Sequence, residues 1–158
     1  MKNLFYSLFV AIPLIGLFAI SCASTARNTG NDGSAAFSDV LGKEWSLVKV
    51  KVGNKETVIN REEGAGDVYT LKFDADMLSG KAEPNTYSGP YTVNEIEQTI
   101  SIKPMRTTQM ASFRQSVGLA EHDYYTYMNN VHKWEVTNNN LILRSKSADG
   151  QDIQLVFK

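Results

Sequence analysis

This sequence has a single cysteine, two histidines and almost no net charge in 158 residues, with a formal balance of −1. One cysteine excludes an intramolecular disulfide, so any exported domain here is held by its core alone. Two histidines, His122 and His132, with no His-Glu-x-x-His pattern and no cysteine cluster, leave no set of ligands for a metal. Lysines and arginines are scattered among the acids, so no basic face marks a nucleic-acid partner or an anionic membrane surface. No cofactor motif is present either: Gly64-Ala65-Gly66 lacks the third glycine and the strand-to-helix setting of a phosphate-binding turn. Ser112, Ser116, His122 and Asp123 do not make a nucleophile, base and orienter, because no nucleophile elbow exists and His122 and Asp123 are neighbours in sequence that would diverge on a helix. Glu83 with Glu121 or Asp123 is a carboxylate pair on paper only, and solvated surface acids are the default. No residue is assigned as catalytic, and the chain is not expected to be an enzyme.

What is present begins at the N-terminus. Met1-Lys2-Asn3 is a short positive start, and Leu4 to Ile20 follow without a charge, interrupted by Pro13 and Gly16. Ser21-Cys22-Ala23-Ser24 supplies small residues where a signal peptide is cut. Ala19-Ile20-Ser21-Cys22 resembles the lipobox of bacterial lipoproteins, with Ala19 where that pattern usually has leucine. The resemblance implies a signal peptide over residues 1–21 and diacylglyceryl modification of Cys22, so the mature chain starts on a membrane surface. Several acyl chains on one residue give the multiple anchors that stable attachment needs. An uncleaved membrane anchor and an ordinary cleaved signal are the competing readings. Residues 22–38, rich in Ser, Thr, Asn, Gly and Ala, read as a flexible tether with almost nothing to bury. Ala23 in place of an acidic residue leans the location towards the outer membrane, on its periplasmic or surface face.

The remaining chain, 39–158, alternates with period two. Val48 to Val52, Thr57 to Ile59, Val68 to Asp74, Gln98 to Ile102, His132 to Val136, Leu141 to Arg144 and Asp152 to Phe157 all read as strands. Tyr69, Leu71 and Phe73 are expected inside, with Thr70, Lys72 and Asp74 facing water. Between Phe73 and Val93 the chain is expected to run as a strand, a turn at Ala75-Asp76, a short strand through Gly80, a corner at Pro84-Asn85 and a return strand. Gly89-Pro90 in that return strand argues for a bulge or an edge. Residues 104–112 read as loop. From Ser116 to Val131, the positions Val117, Ala120, Tyr124, Tyr127, Met128 and Val131 recur at helical spacing and predict one amphipathic helix. The expected fold is mainly β, a small antiparallel barrel or rolled sheet of about eight strands with the helix before the last strands, because closure removes exposed edges.

Three stretches then resemble one family. Ser79-Gly80-Lys81-Ala82-Glu83-Pro84-Asn85 with Ser88-Gly89-Pro90-Tyr91, and Pro104 to Ser112 with its Thr107-Thr108-Gln109-Met110-Ala111, are similar to the signature segments of the META or HslJ-like domain. The resemblance implies a compact β-rich fold in an exported protein, with Gly80, Asn85, Gly89, Tyr91, Thr108 and Met110 as signature positions of structural purpose. Pro84 and Ser112 stand where the family often has cysteines. With the lipobox, the tether and the lack of a catalytic constellation, the expectation is an envelope lipoprotein whose domain is monomeric and non-enzymatic, serving stress tolerance through envelope proteins or the cell wall. The alternative is a binder of small apolar molecules, with Tyr124, Tyr127 and Trp134 as candidates to line the pocket.

Overall fold

The computed structural model describes residues 36–59, 67–111 and 118–158, all in the unit Gly33–Lys158. Cys22, the Gly64-Ala65-Gly66 loop, Ser112, Ser116 and Val117 lie outside the described residues. A 3-10 turn, Phe37–Asp39, leads into strands β1 (Glu44–Val52), β2 (Lys55–Val58), β3 (Tyr69–Phe73), β4 (Met77–Ala82), β5 (Asn85–Asn94), β6 (Thr99–Ile102) and β7 (Arg106–Thr107). The helix α1 (Glu121–Asn129) follows, then β8 (Lys133–Thr137), β9 (Asn140–Lys146) and β10 (Asp152–Phe157). No helix among the described residues is long and apolar enough to cross a membrane.

Every pairing is antiparallel, and the ring β1-β3-β4-β5-β6-β8-β9-β10 closes when β10 returns to β1, with Leu47 opposite Phe157 and Val52 opposite Ile153. Lys158 and Ser46 exchange both backbone hydrogen bonds, each 2.9 Å, which extends the closing seam to the last residue. Two strands lie outside the ring. β2 continues the β1 edge beyond β3, and β7 occupies the β5 edge before β6 begins. The loosest seam is β6 to β8, where Thr99 opposite Lys133 is the one ladder pair.

The alternation read from sequence produces the core. Tyr69, Leu71 and Phe73 point inwards, as do Ile153, Leu155 and Phe157, all nearly inaccessible. Thr70 departs from expectation: it is buried, and its Oγ1 accepts the Lys81 amide at 3.2 Å. In β1 the register shifts between Leu47 and Lys49, so the inward phase moves from Trp45 and Leu47 to Val50. Of the two expectations for Gly89-Pro90, the bulge is corrected and the edge position holds. The β4 register runs unbroken from Met77↔Pro90 to Ala82↔Asn85. Pro90 is tolerated because its opposite edge falls between the β7 pairs at Tyr87 and Ser88 and the β6 pairs starting at Tyr91.

The helix is shorter than its periodicity suggests. Gly118 takes a left-handed φ of +88°, and the helix starts at Glu121 after Ala120, which offers no side-chain cap. The apolar spacing runs on through the approach segment, but tertiary contacts set the boundary: Tyr69 Oη donates to the Leu119 carbonyl at 2.7 Å. At the far end, Ser145 Oγ, almost wholly buried, donates to the Tyr127 carbonyl at 2.6 Å, satisfying one of the carbonyls that a helix end leaves open. Between β8 and β9, Asn138 and Asn139 have φ of 51° and 61°, the two positive values a tight hairpin turn requires. The tether expectation is corrected at its end, since Phe37 is 2 % exposed and belongs to the core.

Candidate functional site

The densest polar junction is built on Asn85, the first residue of β5 and 4 % exposed. Its Oδ1 accepts from Thr108 Oγ1 at 2.9 Å and from the Met110 amide at 2.7 Å. Its Nδ2 donates to Glu121 Oε1 at 2.8 Å and to the Met110 carbonyl at 3.2 Å. One amide side chain thus ties a barrel strand, the segment after β7 and the first turn of the helix together, using both ends of its donor and acceptor capacity. Thr108 adds a backbone exchange with Thr86, donating its amide to the Thr86 carbonyl at 3.0 Å and accepting the Thr86 amide on Oγ1 at 3.1 Å. The Met110 side chain itself is exposed, so its part in the junction is carried by its backbone.

Above this junction lies a layer of tyrosines. Tyr87 Oη donates to the Thr70 carbonyl at 2.7 Å and shares a 2.6 Å hydrogen bond with Tyr124 Oη. Tyr124 lies tilted against Tyr69 at a ring separation of 4.7 Å and meets Tyr87 edge-on at 5.8 Å. Burial pushes the phenols of Tyr87, Tyr124 and Tyr125 up, with the Glu121 carboxylate adding to the effect at Tyr125. Tyr69 is raised to about 12, first by burial and then by Glu121 and Asp123. These hydroxyls therefore act as neutral hydrogen-bonding groups, not as acids or bases near neutral pH. Gly80 makes the layer possible. A Cβ there would collide with the Thr70 carbonyl oxygen and sit 2.5 Å from Tyr87 Oη.

A second aromatic group sits around Phe37. Its ring lies 5.0 Å from Trp134, 5.4 Å from Phe73 and 5.7 Å from Tyr91. Tyr91 Oη donates to the Asp74 carbonyl at 2.5 Å. The three aromatic pocket candidates are therefore not gathered in one place. Tyr124 is enclosed in the tyrosine layer, Trp134 packs with Phe37, and Tyr127 lines a surface cleft of about 250 Å³ with Val50, Val52, Thr57 and Leu119. Gly89 packs its missing side chain against Met105, whose Cα and Cγ would lie 3.2 Å from a Cβ.

Among the described residues no group of His, Cys, Asp and Glu could hold a metal ion. His122 and His132 are exposed. Glu83 is within 3.4 Å of Lys81 Nζ while Glu121 is engaged by Asn85, so the two carboxylates face different partners.

The family model for the META domain matches residues 38–157. The chain belongs to the META domain family. Two solved structures share its fold. One is the NMR structure of a protein from Burkholderia xenovorans, with a TM-score of 0.57 and 16 % identity over 77 % of this chain and 85 % of that one. The other is the 1.00 Å crystal structure of a DUF4847 family protein from Bacteroides vulgatus ATCC 8482, with a TM-score of 0.52 and 14 % identity over 75 % and 94 % of the two chains. No curated protein matches the chain. Sequence reasoning flagged Asn85, Thr108, Met110 and Gly80, but not Glu121 as the partner of Asn85, which lies 36 residues away and carries no local signal. Phe37 was missed for a similar reason: one aromatic residue in a polar stretch has no periodicity to betray it.

Proposed function

We propose that this META domain is the folded part of a lipid-anchored envelope protein that works without catalysis, supporting envelope integrity under stress by contact with other envelope components. The carrying observation is where the signature residues are engaged. Asn85 hydrogen-bonds both Thr108 and the Met110 backbone, Gly80 makes room for Tyr87, and Tyr91 donates to the Asp74 carbonyl. Groups used in this way hold a barrel shut, which supports a structural purpose for the signature. The anchoring half of the reading rests on Cys22, the one cysteine, standing directly after the uncharged run Leu4 to Ile20 and Ser21.

Both halves are tested in the source cells. Metabolic labelling with an alkyne fatty acid marks the wild-type chain in the membrane fraction, and Cys22→Ser abolishes the label and releases the protein. Deleting the gene raises dye leakage across the envelope under heat and antibiotic challenge, and the Cys22→Ser protein fails to restore the barrier. Label persisting in Cys22→Ser removes the anchor. A barrier unchanged by the deletion removes the stress role.

A further inference from the structure

Phe37 enters the barrel as a side chain on a lightly attached segment. Among the described residues, the hydrogen bonds of Ala36 to Asp39 stay within the segment: the Asp39 amide donates to the Ala36 carbonyl at 3.0 Å and the Val40 amide to the Phe37 carbonyl at 2.9 Å. The first bond to the barrel comes only at Val40, whose carbonyl accepts from Trp45 Nε1 at 3.1 Å. From Ala36 to Asp39, then, the hold on the barrel is the Phe37 ring, set between Trp134, Phe73 and Tyr91. A second, independent observation concerns Trp134. It is 2 % exposed, yet its Nε1–H has no hydrogen-bond partner. Buried indole N–H groups ordinarily find an acceptor, and the π face of a phenyl ring is only a weak one.

We propose that Phe37 is a built-in occupant of a binding site. The pocket of Phe73, Tyr91 and Trp134 takes a small, flat, neutral aromatic molecule carrying one hydrogen-bond acceptor, which displaces the Phe37 ring and accepts from Trp134 Nε1. Phe37 fills the apolar volume but offers the donor no more than a weak π face, so a ligand that supplies both ring and lone-pair acceptor satisfies the site better than the chain does. Val40, fixed by Trp45, is the pivot about which the 3-10 turn swings out. The inference is independent of membrane anchoring.

The probes are toluene and 4-methylpyridine at pH 8, which share a shape and differ by a ring nitrogen able to accept a hydrogen bond. With the full chain, calorimetry gives the affinities, and the Trp134 indole N–H signal in 15N-resolved NMR reports the bond. Wild type binds 4-methylpyridine with a downfield indole shift that toluene does not cause. Phe37→Ala, which removes the competitor, binds both probes about 30-fold more tightly, the worth of burying a phenyl ring. In that background Trp134→Phe weakens 4-methylpyridine about fivefold more than toluene, the worth of one net hydrogen bond. Should Phe37→Ala fail to fold, Phe37→Leu, which keeps most of the buried area, takes its place with a smaller gain. Equal affinities in wild type and the position-37 variant, or tighter toluene binding with an unmoved indole signal, overturns the proposal.

Discussion

Asn85→Ala against Asn85→Asp separates what this one side chain does for the fold. Alanine deletes two accepted and two donated hydrogen bonds and unties Glu121 and the Met110 backbone. A net hydrogen bond is worth about 1 kcal/mol, and one to a charged group about twice that. Met110 is exposed enough for water to take over part of its share, so the loss is about 3 kcal/mol. That lowers the midpoint of a domain this size by about 10 °C. Aspartate keeps the acceptor towards Thr108 and the Met110 amide but places an oxygen 2.8 Å from the Glu121 carboxylate, where an N–H stood. Burial and the like charge both raise the pKa of the new carboxyl in the folded state. A group with a raised folded pKa contributes stability that is complete below its unfolded value, about 4, and is lost as pH rises through the folded value. Asn85→Asp is therefore the weaker of the two at pH 7, by up to about 4 kcal/mol relative to wild type for a three-unit shift. Near pH 4 it recovers to within about 1 kcal/mol, because the protonated acid can again donate. Urea unfolding of both variants and wild type from pH 4 to 8 measures this, each variant being compared with wild type at the same pH. If the two variants track one another across the range, or if Asn85→Asp matches wild type at pH 7, the account of the junction is wrong.

Gly80→Ala is expected to destabilise, where the same change inside an open helix or strand ordinarily stabilises. The new methyl meets a backbone carbonyl that cannot swing away and displaces Tyr87 from Thr70. A loss of about 3 kcal/mol or an insoluble product follows from overpacking with a broken buried hydrogen bond, and a thermal midpoint within a few degrees of wild type would refute the close packing. Tyr69, Tyr87 and Tyr124 all have raised phenol pKa values. Stability is thus retained below pH 10 and falls as pH climbs through the folded values, so their ionisation at 295 nm should appear as one step with loss of the near-ultraviolet circular dichroism. Separate, non-cooperative titration near pH 10 would show the layer to be open to solvent.

The elements legible in the sequence were those whose cause is local. Alternation put Leu71, Phe73, Ile153, Leu155 and Phe157 inside, and the structure keeps them there. The strands His132 to Val136 and Leu141 to Arg144 were local in the same way, and the turn joining them uses Asn138 and Asn139, which tolerate its positive φ values. What escaped was set by distant partners. The two residues of β7 form a strand because β5 presents a free edge at Tyr87 and Ser88, a fact no window over Arg106 and Thr107 contains. The helix start is fixed by Tyr69 and Asn85, from two different strands, with no side-chain cap of its own. The junction was half legible: the signature named the residues on one side, while the acid completing it was recognisable only as a surface carboxylate.

The two positions where the resemblance places cysteines, Pro84 and Ser112, flank the Asn85–Met110 contact in sequence. Pro84 directly precedes Asn85, and Ser112 comes two residues after Met110, whose amide and carbonyl Asn85 holds. A cross-link between those positions would span the contact that the Asn85 side chain already makes. Restoring it should therefore add to the same seam. Once oxidised, Pro84→Cys with Ser112→Cys, in a Cys22→Ser background to prevent exchange, is expected to raise stability by about 3 kcal/mol, as for a closed loop of this order of length. The gain should shrink the cost of Asn85→Ala, because the disulfide then carries the constraint that the amide supplied, and contacts serving one constraint are not additive. Unfolding of the single and combined variants, with and without reductant, completes the cycle. If the oxidised pair leaves the cost of Asn85→Ala unchanged, bond and amide hold different parts of the barrel, and the signature is not a single structural device.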